Sequence, residues 1–157
     1  MLKKRLVLII AVFLSLVIVG CNDENSIEKK EIKIQHNWNE SPLFESGDYT
    51  MIGEEGRLGF IYDDSEVLRF YPNKVNKYMW HFWGEEQELE GEVKITATHE
   101  NDNEEIYVTG GEISGANNGA DSHMPSNMSL PKSGMWKLDV YIGDRLFGSV
   151  YVKVHEK

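Results

Sequence analysis

One thiol and five imidazoles are the groups on this 157-residue chain best suited to nucleophilic attack or metal binding. The thiol is Cys21. The imidazoles are His36, His81, His99, His123 and His155, and no two stand in H-x-x-x-H or H-x-H spacing. Those spacings put two ring nitrogens on one helix face or one strand face, so a histidine-built metal centre is not expected. With a single cysteine, thiolate zinc sites, iron–sulfur clusters and haem attachment are excluded. The chain has no Gly-x-Ser-x-Gly elbow, no Gly-x-x-x-x-Gly-Lys phosphate loop and no dinucleotide fingerprint. Carboxylates abound, but a sequence does not pair them across a cleft. The expectation is a protein that is not an enzyme and carries no cofactor.

Polar ligands concentrate between Gly110 and Ser129. Connections longer than about 12–15 residues are uncommon and often functional, so this stretch reads either as a mobile connection with a short edge strand around Met124–Leu130, the preferred reading, or as a binding loop. Its candidate contacts are Asn117, Asn118, Asp121 and His123. An alternative is a weak calcium site built from Asp121, Asn117 and carbonyls, although the spacing fits no EF-hand. The acidic run Glu85, Glu86, Glu88, Glu90 and Glu92 reads as a solvated loop leading into a strand.

Cys21 closes a different pattern. Met1-Leu2-Lys3-Lys4-Arg5 is a short basic start, and an apolar run from Leu6 to Val19 follows, broken by Ser15. This is the layout of a secretory signal. Its fourteen residues rise roughly 21 Å as a helix, short of a hydrocarbon core of about 30 Å. Ile18-Val19-Gly20-Cys21 resembles the bacterial lipobox. That resemblance implies cleavage before Cys21 after its thiol receives a diacylglyceryl group. Each buried CH₂ contributes about 0.8 kcal/mol, and one acyl chain holds only marginally. Two chains make an essentially permanent anchor. The expected organisation is a cleaved signal over 1–20, a lipidated cysteine and polar tether over 21–35, and a domain over 36–157.

Removing residues 1–20 takes away three basic residues and no acidic ones, moving the formal charge from −10 to −13. That sign disfavours nucleic acid as a partner. The expected attachment to the membrane is the lipid on Cys21, at the extracellular face of the cytoplasmic membrane.

From His36 onward the sequence reads as β. Tyr49–Ile52 and Arg57–Tyr62 flank Gly53-Glu54-Glu55-Gly56, which predicts a hairpin. Glu66–Tyr71 is another short run. Lys77–Trp83 puts Tyr78, Trp80 and Phe82 on one face and Met79, His81 and Trp83 on the other, the pattern of a central strand covered on both sides. Glu92–Thr98 and Glu105–Thr109 alternate around a polar turn. Gly134–Ile142 sends Trp136, Leu138, Val140 and Ile142 inward, and Leu146–Val154 returns after Gly143-Asp144. A two-residue loop there would put Val150, Val152 and Val154 on the wrong face. Either the loop has three residues, which is the preferred reading, or a bulge near Gly148 resets the phase. About seven or eight strands suit an all-β, immunoglobulin-like antiparallel sandwich without a disulfide, with Trp80 in the role of the core tryptophan.

Three segments, Gly53–Ile61, Lys77–Gly84 and Leu130–Tyr141, resemble a family of small uncharacterised lipoproteins of Bacillus-type Gram-positive bacteria. The resemblance spans roughly residues 38–154 and implies the same address and fold, with no catalytic residues to carry over. The expected function is a non-catalytic binding or accessory role toward an envelope protein or small molecule. The alternatives are a calcium- or metal-dependent module, an inhibitor of an extracellular hydrolase, or an envelope hydrolase.

Overall fold

The computed structural model of the chain describes residues 37–157. Cys21, the signal and tether stretches and His36 lie outside the described residues. Nine strands are found among the described residues: β1 Leu43–Ser46, β2 Tyr49–Glu54, β3 Leu58–Ile61, β4 Asn76–Phe82, β5 Glu92–His99, β6 Glu105–Glu112, β7 Ser122–Met128, β8 Gly134–Ile142 and β9 Arg145–Val154. One sheet has the order β1-β2-β3-β4-β7 and the other β6-β5-β8-β9, with every named pairing antiparallel.

The chain crosses between the sheets. β4 takes β7 as its neighbour although β5 and β6 intervene, and β5 takes β8 although β6 and β7 intervene. This is how strands B with E, and C with F, pair in an immunoglobulin-like sandwich, with β9 in the place of G. The additions are β1 and β2, which extend the sheet beyond β3, so the strand count exceeds the seven or eight expected. The Glu66–Tyr71 run is not a strand; it contributes only a parallel bridge from Phe70 to Val154.

Trp80 is fully buried, as its setting among aromatics suggests, but it stands on β4, the B position. The hallmark tryptophan of antibody domains stands on strand C. Its ring lies 4.7 Å from Phe60, and Phe60 lies 5.2 Å from Tyr78. Burying one Phe-sized side chain contributes roughly 1.5–3 kcal/mol. Two members of the buried aromatic row Tyr62, Phe60, Tyr78, Trp80 and Phe82 are thus comparable to the roughly 2–5 kcal/mol a lost native disulfide would cost. One cysteine in the chain leaves no disulfide to form within it.

The last hairpin resolves the phase problem by a bulge. Ile142 faces Arg145 across the two-residue loop, and the register shifts so that Val140 faces Gly148. The three-residue loop is thus overturned. Gly143 takes φ +59° as the first loop residue, as a type II′ turn requires. The extra residue, Phe147, is buried against Phe82 at 5.9 Å, and Val150, Val152 and Val154 come back to the core.

Candidate functional site

The edge strand expected around Met124–Leu130 is present as β7, two residues earlier, and the connection before it is shorter than the sequence suggests. β6 runs to Glu112 and β7 begins at Ser122, leaving a connection over 113–121. Its tip is tight: Asn117 and Ala120 exchange backbone hydrogen bonds of 3.1 and 2.9 Å. Between them Asn118 and Gly119 both take positive φ, +48° and +82°. Paired positive φ is the type I′ pattern, and Asn-Gly is its strongest sequence signal. That dipeptide was the available cue to a hairpin tip.

The tip is fastened to the outer face of the first sheet. The Asn118 carbonyl accepts from Ser46 Oγ at 2.9 Å, and the Gly119 carbonyl from Trp83 Nε1 at 2.8 Å. Asp121 accepts from the Gly84 N–H at 3.0 Å, and His123 Nδ1 lies 2.7 Å from the Gly115 carbonyl. Asn118 Nδ2 sits 3.1 Å from Nε2 of His81, which is wholly buried. Asn118, Asp121 and His123 therefore hold the connection to the sheet, while Asn117 closes its tip through backbone bonds to Ala120. Among the described residues no three His, Cys, Asp or Glu side chains gather as a metal site would need.

The outer face of the β4–β7 pair divides into two halves. Across it Lys77 stands opposite Asn127, Met79 opposite Pro125 and His81 opposite His123. The tip covers the His81 end. The Lys77 end opens into a cleft of about 570 Å³ lined by Ile61, Leu68, Lys77, Met79, Pro125 and Asn127, together with Tyr78, Ser126 and the β6 residues Thr109 and Gly110. That volume is within the roughly 300–1,000 Å³ of small-molecule sites. Its back wall is fixed: Tyr78 donates its hydroxyl to the Leu68 carbonyl at 2.7 Å, and Ser126 Oγ donates to the Tyr78 carbonyl at 3.3 Å. Burial pushes the Tyr78 phenol up to about 12, so it stays neutral.

Lys77, Met79, Thr109 and Asn127 were not singled out from the sequence. They lie on three strands, and only the crossed pairing brings them together. The edge strands beside the cleft are blunted against adding another strand. β7 carries Pro125, and β6 has a register shift opposite Ile95 and Thr96 and carboxylates at Glu105 and Glu112.

The acidic run is solvated at Glu85, Glu86, Glu90 and Glu92 and leads into β5, with Glu88 held. Glu86–Glu88 forms a 3-10 turn, the Glu85 N–H donates to Glu88, and Arg57 grips the Glu88 carboxylate at 3.1 and 3.3 Å. Ser129-Leu130-Pro131-Lys132 carries the Ser-x-x-Lys spacing of penicillin-binding enzymes. It lies outside any helix, and Lys132 Nζ pairs with Asp102 instead.

Fold and cleft together define a disulfide-free, immunoglobulin-like β-sandwich with an open side cleft. The chain belongs to the family described as Domain of unknown function (DUF4871), whose model matches residues 28–152. It is also similar, at a TM-score of 0.59 and 22% identity, to a crystal structure from Bacillus anthracis described as a lipoprotein; the match covers 77% of this chain and 88% of that one. At that identity the likeness carries the fold. No curated protein matches the chain.

Proposed function

We propose that this protein is a lipoprotein anchored through a diacylglyceryl group on Cys21 at the outer face of the cytoplasmic membrane, and that its sandwich is a non-catalytic binding module working through the Lys77–Asn127 cleft. The observation that carries the anchor is local. The sole cysteine directly follows an apolar run too short to span, after a small residue. The fold shared with a lipoprotein-described protein supports it. The binding reading rests on the cleft, an open part of the β4–β7 outer face whose other half is capped by the 113–121 connection.

Membrane fractionation of wild type and Cys21→Ser tests the anchor. Wild type should sediment with membranes, accumulate there as a longer, lipidated and uncleaved precursor when lipoprotein signal peptidase is inhibited, and lose the lipid when Cys21 is replaced. A variant that matured normally and stayed on the membrane would sink the proposal. Photo-crosslinking from position 79 on intact cells, compared with position 144, tests the cleft; equal capture from both would remove it as the contact site.

A further inference from the structure

We infer that the cleft takes a small amphipathic anion, an apolar body of a few carbons carrying one carboxylate or phosphate. The inference rests on the binding reading of the same cleft and names its ligand chemistry. Electrostatics argues first. The chain carries 26 acidic against 16 basic residues, yet no carboxylate lines this cleft and one cation, Lys77, does. Lys77 is exposed and makes no ion pair or hydrogen bond among the described residues. Four other cations are held by carboxylates: Arg57 by Glu88, Arg69 by Asp64, Lys132 by Asp102 and Lys137 by Asp139. An anion arriving at Lys77 meets an ammonium with all three donors free and no carboxylate in the lining to repel it.

The floor sets the rest of the ligand. Ile61, Leu68, Met79 and Pro125 present apolar surface, and Met79 is half-buried with an adaptable thioether. Asn127, directly opposite Lys77, and Thr109 of β6 add donors uncommitted to the fold. A headgroup held by Lys77 and Asn127 would leave its apolar part over Met79 and Pro125, one register step along the same face. An inorganic anion would leave that apolar floor wet, and a neutral alcohol would leave the ammonium unpaired.

The test uses the mature chain from residue 21 with Cys21→Ser, labelled at its methionine methyl groups. Hexanoate, hexyl phosphate, hexylammonium, hexanol and inorganic phosphate are titrated in turn. Met79 reports the cleft, while Met51, Met124 and Met128, buried elsewhere, serve as controls. Hexanoate or hexyl phosphate should move the Met79 signal saturably, and the tighter of the two names the headgroup. Hexylammonium and hexanol should bind about tenfold more weakly, the worth of one charge-assisted hydrogen bond. Lys77→Gln and Lys77→Glu should weaken the anion by at least that factor and leave hexanol unchanged. Hexylammonium or hexanol binding as tightly as the anions would overturn the inference and leave the cleft as a binding site. Inorganic phosphate matching hexyl phosphate would overturn the apolar half. Silence of Met79 with every probe would overturn the binding reading and the inference together.

Discussion

The amide of Asn118 sits 3.1 Å from Nε2 of His81, and the other ring nitrogen of His81 lies 3.1 Å from the Met79 carbonyl. A carbonyl accepts only, so Nδ1 carries the proton and donates to Met79. Nε2 is left as an acceptor for the Asn118 Nδ2–H. The pair of contacts fixes one neutral tautomer in a wholly buried ring, and a second proton has no acceptor waiting for it.

That geometry sets the pH response of the fold. Burial holds His81 below the ordinary histidine value, and the neighbouring His123 pushes the same way. The unfolded ring, with a pKa near 6.5, takes up a proton that the folded ring refuses. Between those two values the unfolded state binds more protons, so stability falls as pH drops below about 6.5, by up to about 1.4 kcal/mol per pH unit. Urea unfolding at pH 7.5, 6.0 and 5.0 should show the loss. His81→Gln should flatten the profile over that range. A separate loss at lower pH follows from Asp64 and Glu88, held below the usual carboxylate range by hydrogen bonds from Arg69 and Arg57; it should survive the substitution.

Two glycines of the β2–β3 hairpin should respond very differently to alanine. At Gly53 an added Cβ would come within 2.2 Å of the Leu58 carbonyl oxygen and 2.7 Å of the Gly59 Cα, with φ at +150°. Both obstacles are backbone of the paired strand, so Gly53→Ala should cost about 3 kcal/mol or more. Gly56, at φ +72°, has open space around it. Gly56→Ala should cost only about 1 kcal/mol, the left-handed backbone penalty. Thermal denaturation of both variants gives the comparison, and equal losses would contradict the close approach at Gly53.

How far the sequence discloses this molecule depends on the range of the contacts involved. The alternation in Gly134–Ile142 and Lys77–Trp83 is read within one strand, and those strands stand where the pattern puts them. The β2–β3 hairpin is legible for the same reason, since its glycines are local. The loop before Arg145 was not, because a bulge and an extra loop residue give the same alternation; burial of Phe147 decides between them. β1 escaped because Leu43–Ser46 is only four residues long and does not alternate, two apolar residues preceding two polar ones, and only its pairing with β2 makes it a strand. The cleft lay beyond local reading altogether. Lys77 and Asn127 are fifty positions apart and meet because β7 returns to β4 after two strands in the other sheet.

Arg57 joins the 3-10 turn to the last hairpin, and lysine should not replace it. Its guanidinium carbon lies 3.6 Å from the centre of the Phe147 ring, its Nε donates to the Phe147 carbonyl at 3.2 Å, and its two outer nitrogens fork onto Glu88. A lysine ammonium keeps the charge but cannot stack on the ring and bond both partners at once. Arg57→Lys should destabilise the domain by about 1–2 kcal/mol, from the lost cation–π contact and a lost hydrogen bond. Glu88→Gln should cost less, because the stacking on Phe147 remains. Chemical denaturation ranks the two; the reverse order would place the energy in the ion pair.

Asn118→Asp should invert the sign of the pH response. Aspartate tolerates the φ of +48° at this position nearly as well as asparagine, so the type I′ tip should keep its shape. The substitution sets a carboxylate oxygen where the amide now lies, 3.1 Å from His81 Nε2. A carboxylate accepts only, so it opposes the neutral tautomer and stabilises the imidazolium whose Nε2–H points at it. The folded pKa of His81 should then rise above 6.5, and the folded state becomes the one that binds the extra proton. Stability from that pair is present at low pH and lost as pH rises through the new folded value, opposite to wild type. Asn118→Ala separates charge from geometry: it strains the positive φ and removes the amide, yet keeps the wild-type direction, because burial still disfavours the charged ring. Titrating the His81 ring proton by NMR in the three proteins reads the shift directly. A variant carboxylate that left the ring neutral at pH 6 would mean that burial, not the partner at Nε2, sets the protonation of His81.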